Sequence, residues 1–138
     1  MSSPVSDRIR SLLARSLPLV RQRRALLVER MERSLVAAET EPEDRGQAKV
    51  TAALLVELLL GEVKHLVESG RFGALSTVAA EHRGLDIGGR HYSRFGDALV
   101  PILRDLLGPI VPREVAGAWC DTFWAIIRAA QPAEESVG

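Results

Sequence analysis

The chain has 138 residues, 46% of them hydrophobic, which is enough for one domain with a buried core. Its 18 basic and 18 acidic residues cancel, so no global field draws the chain towards nucleic acid or an anionic membrane. The single cysteine, Cys120, excludes an intramolecular disulfide and favours a reducing, cytoplasmic setting.

Apolar residues recur with helical spacing along the whole chain. No Asn-Gly or Asp-Gly hairpin dipeptide occurs, and no run alternates with period two. The sequence therefore predicts an all-α fold of about six helices, with a single domain over residues 1–131 and a polar tail over residues 132–138.

Three helices are predicted in the N-terminal half. Ser6 suits the N-cap of a helix that begins at Asp7, and Pro18 is a point where that helix can bend. The second helix, residues 24–38, is followed by the charged connector ETEPEDRG, which is typical of a solvated loop. The third covers residues 47–68. The apolar positions are Leu27, Met31 and Leu35 on the second helix, and Val50, Ala53, Leu54, Leu58 and Gly61 on the third.

Three more helices are predicted in the C-terminal half, over residues 72–83, 90–107 and 112–131. The first is short and places His82 on the same face as Leu75, Val78 and Ala79. The apolar positions of the other two are Tyr92, Phe95, Leu99, Ile102, Leu103 and Leu106, and then Val115, Trp119, Phe123 and Ile126.

His82 is the main candidate for a functional residue. A histidine on an apolar face is either a core residue with its hydrogen bonds satisfied or a metal ligand, and residue type leaves both open. No set of histidines and cysteines has zinc-site spacing, so a metal at His82 would have one protein ligand, as in haem. Tyr92 follows ten residues later, and a chain reversal after Gly84 would bring its hydroxyl back to the imidazole.

The stretch VAAEHRGLDIGGRHYSRFGDALV, followed by EVAGAWCDTFWAII, resembles the globins. It is most similar to bacterial single-domain globins and to the haem domain of flavohaemoglobins. The resemblance is strongest over residues 75–127 and extends to the early segment SLPLV. The matching positions are Ala79 with His82, His91 with Tyr92, Gly96 with Leu99, and Ala118 with Trp119.

The resemblance implies a globin-like fold that binds haem b, with His82 as the iron ligand. It also implies reversible binding or sensing of a diatomic gas, which would be oxygen, nitric oxide or carbon monoxide. Glu134 falls where the family has a glutamate near the proximal imidazole. No flavin or nicotinamide motif occurs, so nitric oxide dioxygenase chemistry would need an external reductase. The residues expected to contact the haem are His82, Val50, Leu54, Val78, Tyr92, Phe95 and Leu99.

The distal half departs from the family pattern. No tyrosine precedes Tyr92, the first phenylalanine is Phe72, and the connector between the second and third helices is shortened. Counting back from His82 puts Val50 at the distal position and Leu54 one turn on, so we expect an apolar distal side. The alternative is a haem-free or haem-poor globin-fold module that senses or scaffolds through protein-protein contacts, including a homodimer.

Other polar residues receive lesser roles. Arg83, Arg90 and Arg94 are candidates to pair with haem propionates, and His91 is expected to be exposed at a helix start. His65 lies too far along the third helix to face the iron. The run RQRR at residues 21–24 is read as a solvated helix junction, and Cys120 as a small packed or interface residue.

The sequence gives no signal for a membrane or for export. No run approaches the roughly 18 consecutive apolar residues of a membrane span, and the N-terminus lacks an uninterrupted apolar segment. We therefore expect a soluble, cytoplasmic protein.

Overall fold

A computed structural model describes residues 3–73 and 75–130 of the chain. Within these residues the fold is all-α, as predicted, and its six helices are consistent with a globin-like arrangement. The predicted tail and Glu134 lie outside the described residues. The helices are α1 (Asp7–Gln22), α2 (Arg24–Ala37), α3 (Asp44–Ser69), α4 (Ser76–Gly84), α5 (Gly89–Leu107) and α6 (Glu114–Ala130).

Local chemistry accounts for several helix ends. The Ser6 hydroxyl accepts a hydrogen bond from the backbone N–H of Ile9 at 3.2 Å, which confirms it as the N-cap of α1. At the C-terminal end of α3, Gly70 adopts the left-handed conformation, with φ of 80°, and its N–H donates a hydrogen bond to the carbonyl of Leu66. The start of α3 at Asp44 precedes the predicted start, because an acidic residue in the first turn favours a helix N-terminus. The connector between α2 and α3 is correspondingly short.

The core lies among five helices that pack in pairs. α2 packs on α3 and α5, α1 packs on α3 and α6, and α5 packs on α6, while α4 rests on α6. Phe95 of α5 and Phe123 of α6 are fully buried, with ring centroids 4.6 Å apart. Each such buried ring contributes about 1.5–3 kcal/mol to the free energy of folding.

α3 is apolar on two faces, and the predicted stripe is not the face that the core buries. Val50 is 48% exposed, and Ala53, Leu54 and Leu58 are half-buried. Because almost every residue from 52 to 60 is apolar, spacing alone does not identify the buried face. The face selected by the neighbouring helices carries Ala48, Thr51, Ala52, Leu55, Val56, Leu59, Val63 and Leu66. The other apolar face remains incompletely covered by the described chain.

A buried hydrogen bond joins the first helix to the last. The indole Nε1 of Trp119 donates to Oγ of Ser16 at 2.8 Å, and Ser16 donates in turn to the Leu12 carbonyl at 2.7 Å. Both side chains are buried. This contact fixes the approach of α6 to α1.

None of the helices in residues 3–73 and 75–130 combines the length and the apolar character needed to cross a lipid bilayer.

Candidate functional site

His82 and Tyr92 are brought together by a chain reversal between α4 and α5. His82 lies in the last turn of α4 and is 5% exposed. The reversal is held by a hydrogen bond from the Ile87 N–H to the His82 carbonyl at 2.8 Å, and Asp86 takes a left-handed φ of 61°. Nδ1 of His82 lies 2.8 Å from the Tyr92 hydroxyl. The predicted return of this hydroxyl to the imidazole is confirmed.

The electrostatics of the pair favour a neutral imidazole. Burial lowers the pKa of His82, and the nearby Glu81 carboxylate opposes this only in part. Burial also raises the pKa of Tyr92, so its phenol stays protonated at neutral pH. The hydroxyl can therefore accept from Nδ1–H, which leaves the lone pair on Nε2.

The second ring nitrogen of His82 has no hydrogen-bond partner among the described residues. In the same part of the chain, every fully buried side-chain nitrogen and oxygen does have a partner. An imidazole with one nitrogen held and the other free is the arrangement in which a histidine binds a metal.

The other predicted lining residues differ in how far the protein covers them. Phe95 and Leu99 are fully buried, and Val78, Leu54 and Tyr92 are half-buried. Val50 is exposed over about half of its surface. The structure thus brings Tyr92 to His82, places Phe95 and Leu99 in the core, and leaves Val50 and Leu54 on the incompletely covered face of α3.

Gln47 links α3 to the turn after α4, a contact that the sequence analysis missed. Its side-chain amide donates to the carbonyl of Leu85, which directly follows α4. Gln47, Val50 and Leu54 are spaced i, i+3 and i+7, so they share one side of α3. That side of α3 therefore faces the α4–α5 turn.

His91 is buried, and the expectation that it is exposed was wrong. Its Nδ1 accepts a hydrogen bond from the Gly88 N–H at 3.0 Å, which caps the start of α5. Burial lowers its pKa, and the adjacent Arg90 guanidinium acts in the same direction. Because this cap draws the ring back against its own helix start, His91 has a structural role.

Two of the three arginines considered for propionates already have a carboxylate partner. The Glu39 side chain, 3% exposed, accepts a hydrogen bond from Arg94 and lies 3.6 Å from Nη1 of Arg90. Glu39 was not predicted from the sequence, because it stands at the start of a charged connector that is typical of a solvated loop. Arg83, in contrast, is exposed at the end of α4.

The remaining candidates lie apart from His82. His65 is exposed near the end of α3, with Nδ1 2.6 Å from the Arg71 carbonyl. Cys120 is half-buried, its thiol lies 3.6 Å from the Gly96 carbonyl, and burial raises its pKa. Both side chains have local partners that account for their positions.

The donor set at His82 does not suit a metal held by protein ligands alone. In residues 3–73 and 75–130, no group of three or more histidine, cysteine, aspartate or glutamate side chains could hold a metal ion. A metal at His82 would therefore need a prosthetic group to supply its other ligands, which is the case in haem.

No protein-family model matches the chain, and no curated protein matches it closely enough to count as a relative. Membership of the globins stays a prediction from the residues.

Proposed function

We propose that this chain binds haem b through His82 and reversibly coordinates a diatomic gas on an apolar distal side. The observation that carries the proposal is the buried His82–Tyr92 pair, in which Nδ1 is held and Nε2 has no partner among the described residues. When bound, the haem supplies the iron centre that takes the gas.

The chain's own residues fit this role in three ways. The lowered pKa of His82 keeps its imidazole neutral, as a metal ligand must be. The Tyr92 hydroxyl holds the orientation of the ring and, when it accepts from Nδ1–H, leaves the lone pair on Nε2. Val50 and Leu54 offer apolar surface that the described chain does not fully cover, and this surface would exclude water from the bound ring.

The apolar distal side determines which gas is favoured. A bound oxygen molecule gains most from a hydrogen-bond donor, whereas carbon monoxide and nitric oxide depend less on one. Valine and leucine donate no hydrogen bond, and the Gln47 amide on the same side of α3 already donates one of its two N–H groups to the Leu85 carbonyl. We therefore expect carbon monoxide or nitric oxide to bind more tightly than oxygen.

Addition of haem to the purified full chain tests the proposal. We expect a strong Soret band, which His82→Ala weakens or shifts and which added imidazole partly restores. His65→Ala is the matched control, because His65 is exposed and lies apart from the site. A protein that stays colourless, or a Soret band that His82→Ala leaves unchanged, would contradict haem binding through His82.

One observation favours a second candidate, a haem-free globin-fold module that acts through protein-protein contacts. Phe95 and Leu99, which were expected to contact the haem, are fully buried, and Phe95 packs on Phe123. Protein side chains therefore already cover part of the surface that haem would contact. A chain that ignores added haem and sediments as a dimer would support this candidate.

Turnover would require a partner. Nitric oxide dioxygenase chemistry consumes electrons, so an external reductase would have to supply them. A reducing cytoplasm is the setting in which such a reductase and the unpaired Cys120 thiol both fit.

A further inference from the structure

A basic cleft lies where the end of α1 and the start of α2 meet the C-terminal half of α3. Its volume is about 390 Å³, and it is lined by Arg21, Arg24, Glu57, Leu60, Gly61 and Lys64. A second cleft of about 470 Å³ shares Arg21 and is otherwise lined by Leu17, Pro18 and Gln22. None of these residues belongs to the His82 site.

The cleft carries more positive charge than it neutralises. Glu57 pairs with Arg24, and their side chains are 50% and 55% exposed. Arg21 and Lys64 have no ion-pair partner among the described residues. Because the whole chain has no net charge, this excess of two positive charges is a local feature.

We propose that the basic cleft binds a phosphate group. Arg21 and Arg24 offer guanidinium forks that match phosphate oxygens, and Lys64 adds a point charge from α3. The space beside Gly61 is open, since a Cβ there would meet nothing within 4 Å. The neighbouring cleft, which Leu17 and Pro18 line in part, would take a nonpolar group attached to the phosphate.

Glu57 is the one acidic residue among the described residues that line the cleft, and it should weaken phosphate binding. Its carboxylate competes with the phosphate for Arg24 and also repels it directly. Glu57→Gln removes both effects and frees Arg24 at little structural cost, because an exposed ion pair contributes little to stability. The variant is therefore expected to bind phosphate more tightly than the original chain.

Titration of the full chain with inorganic pyrophosphate at low salt tests the cleft, with binding followed by the amide NMR signals of Leu60 and Gly61. We expect Arg21→Gln combined with Lys64→Gln to weaken binding about tenfold or more, and Glu57→Gln to strengthen it about threefold. Arg15→Gln combined with Lys49→Gln is the matched control, because it removes two exposed charges outside the cleft. Binding that the Arg21/Lys64 variant retains, or that Glu57→Gln weakens, would overturn the proposal.

The phosphate could come from a free phosphorylated small molecule or from a lipid headgroup, and a second arm separates the two. Phosphatidylcholine vesicles with and without phosphatidic acid are sedimented with the full chain and with the Arg21/Lys64 variant. Pyrophosphate binding alone points to the free molecule, and cosedimentation that needs both phosphatidic acid and the two basic residues points to the headgroup. If the chain binds neither pyrophosphate nor the phosphatidic acid vesicles, the proposal is overturned. The outcome does not depend on haem, because no residue of the cleft contacts His82 or Tyr92 through a described hydrogen bond.

Discussion

The two buried histidines, His82 and His91, each have Nδ1 in a hydrogen bond with a different neighbour. The Tyr92 hydroxyl lies against Nδ1 of His82, and the Gly88 N–H donates to Nδ1 of His91. Burial is the largest cause of the lowered pKa in both. The unfolded chain, in which both rings are solvated, therefore binds protons at a higher pH than the folded chain does.

This difference makes stability depend on pH. The free energy of unfolding should fall as the pH drops through about 6.5, the ordinary histidine value, because the unfolded state then takes up protons first. The fall continues down to the lowered pKa values of the folded state. Urea unfolding between pH 7.5 and 5.5 measures it, and two histidines set an upper slope of about 2.7 kcal/mol per pH unit.

Single-residue variants show which histidines cause the dependence of the free energy of unfolding on pH. His82→Gln and His91→Gln should each reduce it, whereas His65→Gln, at an exposed ring, should leave it unchanged. Stability that stays flat or rises as the pH falls would show that the two rings are not buried as described.

Residue-level contacts were predictable where they are local in sequence. Tyr92 follows His82 by ten residues across one chain reversal, so their contact could be expected from the sequence. Glu39 meets Arg94 across 55 residues, and the charge of its connector looked like that of any solvated loop. That pair depends on how α2 packs on α5, which spacing along the chain does not reveal.

At the scale of elements, α5 and α6 lie in close contact at Gly96, where α5 has no side chain. A Cβ at Gly96 would lie 2.7 Å from Cζ2 of Trp124, well inside van der Waals contact. The Cys120 thiol also points at the Gly96 carbonyl. Gly96 is therefore required by packing and not by backbone conformation.

Gly96→Ala should separate the two helices. We expect a loss of about 1–3 kcal/mol in the free energy of unfolding, because the Trp124 ring must move or α5 must shift. Gly117→Ala on α6 is the matched control: no atom lies within 4 Å of the added Cβ, so it should gain about 0.5–1 kcal/mol from helix propensity. Chemical denaturation of both variants measures the difference, and equal effects would contradict the close approach.

The presence of the six helices was predictable from the sequence, whereas the face of α3 that is buried was not. All six helices were expected from apolar spacing, and Ser6 and Gly70 mark ends that cap chemistry explains. The prediction of the buried face of α3 was wrong for a physical reason. A helix with apolar residues on two faces buries the face against which the neighbouring helices can pack. Because both faces of α3 are apolar, the sequence also did not determine which α3 residues face His82.

For the whole molecule, the bond between Ser16 and Trp119 links positions 103 residues apart. The indole is fully buried, so its N–H depends on this hydroxyl for a partner. The linkage holds the first helix against the last.

Ser16→Ala should therefore destabilise the fold by about 1–3 kcal/mol, because the Trp119 N–H loses its partner without gaining water. Ser11→Ala, at an exposed position of the same helix, is the control and should have little effect. Thermal and urea unfolding compare the two. If Ser16→Ala is tolerated as well as Ser11→Ala, the indole must have another acceptor.

The Glu39–Arg94 ion pair affects which register α2 and α5 adopt more than it affects the free energy of folding. Hydrophobic helix faces can slide past one another by a turn at modest cost, because leucine fits many neighbouring grooves. A buried carboxylate cannot do so, since a shift of α2 along α5 would leave Glu39 without its guanidinium and without water. We expect this one charge to select a single register for the pair, and so to fix where α5 begins and where Tyr92 meets His82.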